Sequence, residues 1–64
     1  MSYYPVVGDI CRYEMEEKGV LYLIMDVNES AYRQVHAYLL RLDNGEHFPD
    51  YIWPIGNLYW HKVA

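Results

Sequence analysis

The dipeptide Asn44-Gly45 lies between two runs of strand-forming residues, in the stretch LRLDNGEHF. Asn-Gly supplies the two positive φ angles of a type I′ turn, which joins neighbouring antiparallel strands. The pair therefore predicts a tight hairpin between strands at Tyr38–Leu42 and Glu46–Ile52. Of all the local patterns in the chain, this one most restricts the fold, because it commits the second half to an antiparallel sheet.

The length of 64 residues predicts one domain, 1–64, with a small core. A domain of this size buries only about 60% of the surface that its unfolded chain exposes. The single cysteine, Cys11, excludes an intramolecular disulfide, and no Cys/His motif indicates a metal or another cofactor. Packing must come from the eight tyrosines, two tryptophans and one phenylalanine. Each buried ring removes roughly 150–250 Å² from water.

Other segments also read as strands. The run VLYLIMDV has no polar alternation before Asp26, which is typical of a central strand covered on both faces. The segment DICRYEM alternates like a half-buried strand, and residues 16–19 turn it back. Pro49 lies within the fourth strand, and proline favours an edge position or a bulge because it cannot donate a ladder hydrogen bond.

Two connections are less regular. Pro54 opens a break at residues 54–58 that predicts one 3₁₀ turn, after which YWHKV resumes as the last strand. Residues 28–34 predict a loop from Asn28 to Gln34. A short helix capped by Asn28 or Ser30 is the alternative there.

This order of strands resembles the Src-homology-3-like family of small β-barrels. Three segments carry the resemblance: Val7–Ile10 before the first strand, Leu42–Glu46 at the hairpin, and Trp53–Leu58 before the last strand. The resemblance implies an all-β fold, namely a single five-stranded, partly open barrel with a 3₁₀ turn before its last strand. True Src-homology-3 domains are similar only in architecture, since the turn at Glu14–Lys18 is too short for their peptide-contacting loop.

Within that group the chain resembles small uncharacterised proteins of tailed phages, which share the Val-Gly-Asp opening and the Asp-x-Gly-Glu hairpin. This resemblance implies a phage product in the host cytoplasm and no particular activity. Tudor domains have a hairpin similar to Leu42–Glu46 and an opening similar to Gly8–Cys11, and that resemblance implies a cage of rings for methylated Lys or Arg. Asn44 stands where Tudor domains usually have a Tyr. Tyr13 and Tyr22 would line a reduced pocket.

The acidic residues are concentrated in the first half of the chain. Residues 1–32 carry six Asp or Glu against two Lys or Arg, whereas residues 33–64 carry three of each. Such a surface repels phosphate and favours a basic protein partner. Nucleic-acid binding by base stacking is therefore the less favoured alternative.

The stretch YIWPIGNLYW concentrates aromatic residues near the end of the chain. Trp53, Leu58 and Trp60 flank the predicted 3₁₀ turn, and we expect such residues to close one end of the core. Tyr51 and Tyr59 are expected to contact a partner, since exposed Tyr and Trp are typical of interface hot spots. The predicted partner-binding residues are therefore Tyr51, Tyr59, Trp53, Tyr13, Tyr22, Glu16 and Glu17.

No catalytic motif is evident. The spacing of His36, His47 and His61 does not fit a metal motif, and Cys11 is expected to be a small core residue. Glu16 and Glu17 lie in a turn, where we expect solvated carboxylates and not a catalytic acid–base pair. The apolar run at residues 20–25 is too short to cross a bilayer, and the first residues do not resemble a secretory signal, so a cytoplasmic location is expected.

The resulting hypothesis is a non-enzymatic protein-binding module or regulator that acts on a host component through an acidic, Tyr-rich surface. The alternatives are a self-assembling structural protein, a homo-oligomer, and a small nucleic-acid-binding barrel.

Overall fold

The computed structural model describes residues 3–30, 32–53 and 59–64. Five strands are present there: β1 (Ile10–Tyr13), β2 (Tyr22–Glu29), β3 (Val35–Arg41), β4 (His47–Trp53) and β5 (Trp60–Lys62). They form one antiparallel sheet in the order β4-β3-β2-β1-β5, without a helix in this part of the chain. The structure therefore confirms the all-β, five-stranded and partly open architecture. The predicted 3₁₀ turn falls on residues 54–58, which lie outside the described residues.

Strand β2 takes the central position that its apolar run predicts, but it is not covered on both faces. Tyr22 and Ile24 are buried, whereas the side chain of Met25 is 44% exposed and Asp26 is exposed. The prediction fails because the described residues form a single sheet around one core, with no second layer packed against its outer face.

The hairpin between β3 and β4 is present, but the predicted type I′ turn is wrong. Gly45 has a φ of 74°, whereas Asn44 does not have a positive φ. The N–H of Gly45 donates to the carbonyl of Arg41 (2.9 Å), and the N–H of Arg41 donates to the carbonyl of Glu46 (2.8 Å). The loop thus has four residues, 42–45. Asn44 stabilises it through its side-chain oxygen, which accepts from the N–H of Glu46 at 2.9 Å.

The loop predicted from Asn28 starts later, because β2 continues through Glu29. A tight turn follows, in which Ser30 Oγ accepts from the N–H of Gln34 (3.2 Å) and the Ser30 carbonyl accepts from the N–H of Arg33 (2.9 Å). The alternative of a short helix finds no support in residues 28–30 and 32–34, which form no helical turn. Ala31 lies outside the described residues.

Strand β3 is flanked by two bulges, both opposite Tyr38. On one side Ile24 pairs with Leu39 and Asp26 pairs with Tyr38, so Met25 is the extra residue of β2. On the other side Ala37 pairs with Tyr51 and Leu39 pairs with Phe48, so Pro49 and Asp50 together oppose Tyr38. The prediction that Pro49 marks an edge or a bulge is confirmed in both senses, since β4 is also an outer strand of the sheet. Paired bulges bend and twist a sheet strongly.

The bent sheet wraps around one aromatic core. Its buried residues come from all five strands: Cys11, Tyr22, Ile24, Val35, Ala37, Leu39, Trp53 and Trp60. The rings of Trp53 on β4 and Trp60 on β5 stack with centroids 4.9 Å apart. The two outermost strands therefore face each other across the core, which makes the sheet a partly open barrel. None of the described residues belongs to a helix long and apolar enough to span a membrane.

Candidate binding pocket

One end of the core opens to solvent in a cavity of about 360 Å³. We call it the aromatic pocket, and its lining comes from all five strands and from the β1–β2 turn: Tyr13, Glu16, Tyr22, Leu39, Arg41, Phe48, Tyr51 and Trp60. Strand pairing explains part of this convergence. Tyr13 pairs with Trp60 across β1 and β5, and Tyr22 pairs with Arg41 across β2 and β3.

The bulge in β4 adds two further walls. Side chains alternate between the faces of a regular strand, so residues three positions apart, such as Phe48 and Tyr51, would point to opposite sides. The extra residue restores them to one face, because they pair with Leu39 and Ala37, which both point into the core. Both rings consequently line the pocket.

Trp60 forms the floor of the aromatic pocket and is only 5% exposed. Three tyrosine rings meet it edge to face: Tyr13 with centroids 5.1 Å apart, Tyr22 at 5.3 Å and Tyr51 at 5.7 Å. The indole N–H of Trp60 also donates to the hydroxyl of Tyr51 at 3.3 Å. Such contacts fix the ring orientations, so these side chains would lose little conformational entropy on contact with a ligand.

Glu16 supplies a carboxylate at the edge of these rings. The hydroxyl of Tyr22 donates to Glu16 Oε1 at 2.6 Å, which ties the β1–β2 turn to the core. Burial, and then this hydrogen bond, raise the pKa of Tyr22 well above its ordinary value. Tyr22 therefore stays a neutral hydrogen-bond donor throughout the physiological pH range. The side chain of Glu16 is 31% exposed, so it remains accessible to a ligand.

Among the described residues that line the pocket, Arg41 is the one cation, and Asp43 compensates its charge. Arg41 Nε lies 2.6 Å from Asp43 Oδ1, and Nη2 lies 3.0 Å from Oδ2, which is a bidentate pair. This hydrogen bonding lowers the pKa of Asp43 and raises that of Arg41. Arg41 Nη1 is 4.0 Å from Glu16 Oε2, beyond hydrogen-bonding distance. With Glu16 and Asp43 negative and Arg41 positive, the group carries a net charge of −1, so it favours a cation.

The structure brings four of the predicted partner-binding residues together in the aromatic pocket: Tyr13, Tyr22, Tyr51 and Glu16. Tyr59 lies beside it, 47% exposed, with its ring 6.0 Å from that of Tyr13. Trp53 is 3% exposed and belongs to the core, and Glu17 is exposed outside the lining.

The lining also contains four residues that the sequence did not indicate as contact residues: Phe48, Trp60, Leu39 and Arg41. Pro49 was the available signal for Phe48, since a bulge next to an aromatic residue changes the face it occupies. Asn44 does not line the pocket, whereas Phe48 does.

The remaining reactive side chains are paired separately. His36 Nδ1 lies 2.8 Å from Asp50, His47 Nδ1 lies 2.8 Å from the Tyr38 hydroxyl, and His61 Nε2 lies 2.9 Å from Glu14. Within residues 3–30, 32–53 and 59–64, no three potential metal ligands come together.

Cys11 is fully buried, as expected for a core residue. Burial raises the pKa of its thiol to about 12, with Asp9 adding a smaller contribution. The thiolate, which is the nucleophilic form, is therefore scarce near neutral pH.

Comparison with known proteins returns no match to a family model, to a curated protein or to a solved structure.

Proposed function

We propose that the chain is a non-enzymatic protein-binding module that takes a basic segment of a protein partner, with one cationic side chain in the aromatic pocket. One observation carries the proposal: five aromatic rings and the accessible carboxylate of Glu16 converge on the same 360 Å³ cavity. Cations are attracted to the faces of aromatic rings, and the attraction grows when the site is partly desolvated.

The dimensions of the pocket suit one side chain. Its volume is at the low end of the roughly 300–1,000 Å³ that small-molecule sites enclose. Phe48, Tyr51 and Leu39 offer apolar surface to the methylene groups of a Lys or Arg, while Glu16 faces the charged end. A neutral polar side chain gains neither the ring attraction nor the ion pair, so it should bind more weakly.

The surroundings of the pocket favour the same class of partner. Glu14 and Glu17 belong to the turn that carries Glu16, and Glu46 belongs to the hairpin that follows Arg41; all three are exposed. Charges at the rim of an interface mainly accelerate the approach of an oppositely charged partner, while the desolvated rings provide affinity. The resemblance to phage proteins extends the proposal to a host protein as the partner, in the host cytoplasm.

The proposal can be tested with three capped, alanine-rich peptides that differ only in one central residue: lysine, trimethyllysine or glutamine. Binding is followed by tryptophan fluorescence, because Trp60 lines the pocket. We expect both cationic peptides to bind and the glutamine peptide to bind much more weakly. Tighter binding of the trimethyllysine peptide than of the lysine peptide would support a cage for methylated lysine, as the resemblance to Tudor domains implies.

Glu17 offers a matched control for the charge. Glu16→Gln should lower the affinity for the lysine peptide by about threefold or more, as expected for the loss of a partly exposed ion pair. Glu17→Gln removes the same charge outside the lining and should have a smaller effect. The proposal fails if lysine and glutamine peptides bind equally, or if the two variants weaken binding to the same degree.

A second candidate, self-association, rests on the outer face of the sheet. Ile10, Leu23 and Leu40 form a continuous row there, since Ile10 pairs with Leu23 and Leu23 with Leu40. Val63 and Met25 lie near this row and are 50% and 44% exposed. Sedimentation at two concentrations tests it, because a stable monomer at both would exclude a homo-oligomer.

A further inference from the structure

A second recess of about 380 Å³ lies along strand β4. It is lined by five consecutive residues, His47 to Tyr51. Phe48 and Tyr51 also line the aromatic pocket, so these two rings form the ridge between the two cavities. A chain that crosses this ridge contacts both cavities at once.

The bulge in β4 creates this arrangement. It turns Phe48 and Tyr51 towards the core and leaves Pro49 and Asp50, the two residues opposite Tyr38, exposed at the outer side of the strand. Pro49 has no N–H, and a bulge interrupts the regular ladder, so an incoming strand cannot pair along the full length of β4. The geometry thus favours a segment that passes over the strand.

Asp50 gives the second recess its charge. Its side chain is 79% exposed, and Oδ1 lies 2.8 Å from His36 Nδ1. This contact with His36 holds the carboxylate in one orientation at the surface. Oδ2 has no hydrogen-bond partner in the part of the chain that the structure describes. His47, which also lines this recess, has its Nδ1 2.8 Å from the Tyr38 hydroxyl.

We propose that the basic segment in the aromatic pocket continues over the Phe48–Tyr51 ridge and places a second basic side chain against Asp50. This inference rests on the proposed function and extends it to a partner with two basic residues close together. In an extended peptide, residues two positions apart point to the same side and are about 7 Å apart. Two lysines separated by one residue therefore suit neighbouring cavities.

The test compares two capped, alanine-rich peptides, one containing Lys-Ala-Lys and the other Lys-Ala-Gln, on the intact chain at low ionic strength. We expect the first to bind about two- to fivefold more tightly, the range for one exposed ion pair. Asp50→Asn should remove this advantage and leave the affinity for Lys-Ala-Gln unchanged. Circular dichroism checks that the variant is folded, and Asp50 is too exposed for its replacement to disturb the core.

Glu29→Gln is the matched control, because Glu29 is an exposed carboxylate at the far end of β2. Equal binding of the two peptides to the unmodified chain would overturn the inference while leaving the aromatic pocket intact. An equal loss of the Lys-Ala-Lys advantage in Glu29→Gln and Asp50→Asn would overturn it too, since the effect would then come from overall charge. If neither peptide binds at all, the proposed function itself fails.

Discussion

The two ends of the core have similar aromatic residues but different coverage. At the closed end, Tyr3 packs edge to face on Trp53 with centroids 5.8 Å apart, and the Trp53 indole N–H donates to the Tyr3 carbonyl at 3.0 Å. The Tyr3 hydroxyl donates to Asp9 at 2.6 Å. The N-terminal segment, including the fully buried Pro5, thereby covers this end.

The open end has no such cover among the described residues. Trp60, the floor of the open end, stacks directly on Trp53, so one tryptophan lies towards each end of the same core. The rings around Trp60 enclose the aromatic pocket, and no other described segment packs over them. We therefore expect the closed end to contribute more to stability than the open end, where the proposed ligand would bind. A small domain needs at least one covered end, because a core open at both ends would leave too much apolar surface in water.

The largest expected effect is at the closed end. Trp53→Ala should lower the free energy of unfolding by about 3–5 kcal/mol, because it empties a buried site and removes the stack on Trp60. Tyr59 lies outside the buried core at the open end, so Tyr59→Ala should lower the free energy of unfolding by about 1 kcal/mol or less. Urea denaturation measures both. Similar losses from the two variants would contradict the assignment of stability to the closed end.

An intermediate effect is expected at alkaline pH. The pKa of Cys11 rises from 9.0 to about 12 on folding. A group whose pKa is raised in the folded state contributes stability that is complete below its unfolded pKa and is lost as the pH rises above it. Between pH 9 and pH 10 this single group should lower the free energy of unfolding by about 1 kcal/mol.

Above pH 10 the loss should steepen, because the pKa values of Tyr3 and Tyr22 are also raised, mainly by burial and by hydrogen bonds to Asp9 and Glu16. Urea unfolding at pH 8, 9 and 10 measures the first interval. Cys11→Ala should flatten the dependence there. An unchanged slope in that variant would show that Cys11 is not the titrating group.

The smallest effect tests the electrostatics of the open end. Asp43→Asn releases the Arg41 guanidinium from its bidentate pair and allows it to approach Glu16, now 4.0 Å away. The affinity for the lysine peptide should fall about two- to fivefold. Arg41→Gln in the same chain should restore it, because the competing cation is gone. The idea is wrong if the double variant binds as weakly as Asp43→Asn alone.

Much of the fold was accessible from local sequence. Asn44-Gly45 located the hairpin, although the actual loop is longer and only Gly45 takes a positive φ. Pro49 predicted an outer strand or a bulge, because in any sheet a proline lacks the N–H that donates a ladder hydrogen bond. The central run from Tyr22 was placed correctly in the sheet, but its outer face stayed exposed, since one strand's composition does not show what packs on it.

The candidate site was only partly accessible. Tyr13, Tyr22, Tyr51 and Glu16 were singled out as contact residues for their chemistry, but nothing in their spacing shows that they line one cavity. Phe48 and Trp60 were not identified as lining residues, although Trp60 was expected in the core, because the place of each ring in the pocket depends on strand pairing. A single extra residue in a strand moves every later side chain to the other face, and the partner strand decides where that residue is accommodated.

By itself the sequence determined an all-β domain with one hairpin, a proline-marked outer strand, an acidic surface and an aromatic core. Those features follow from backbone preferences and composition, which act over a few residues. Only the tertiary structure decided that paired bulges opposite Tyr38 bend the sheet, that the N-terminal segment covers one end of the core, and that the other end stays open beside Glu16. These depend on contacts between residues far apart in the chain, whose geometry no local pattern records.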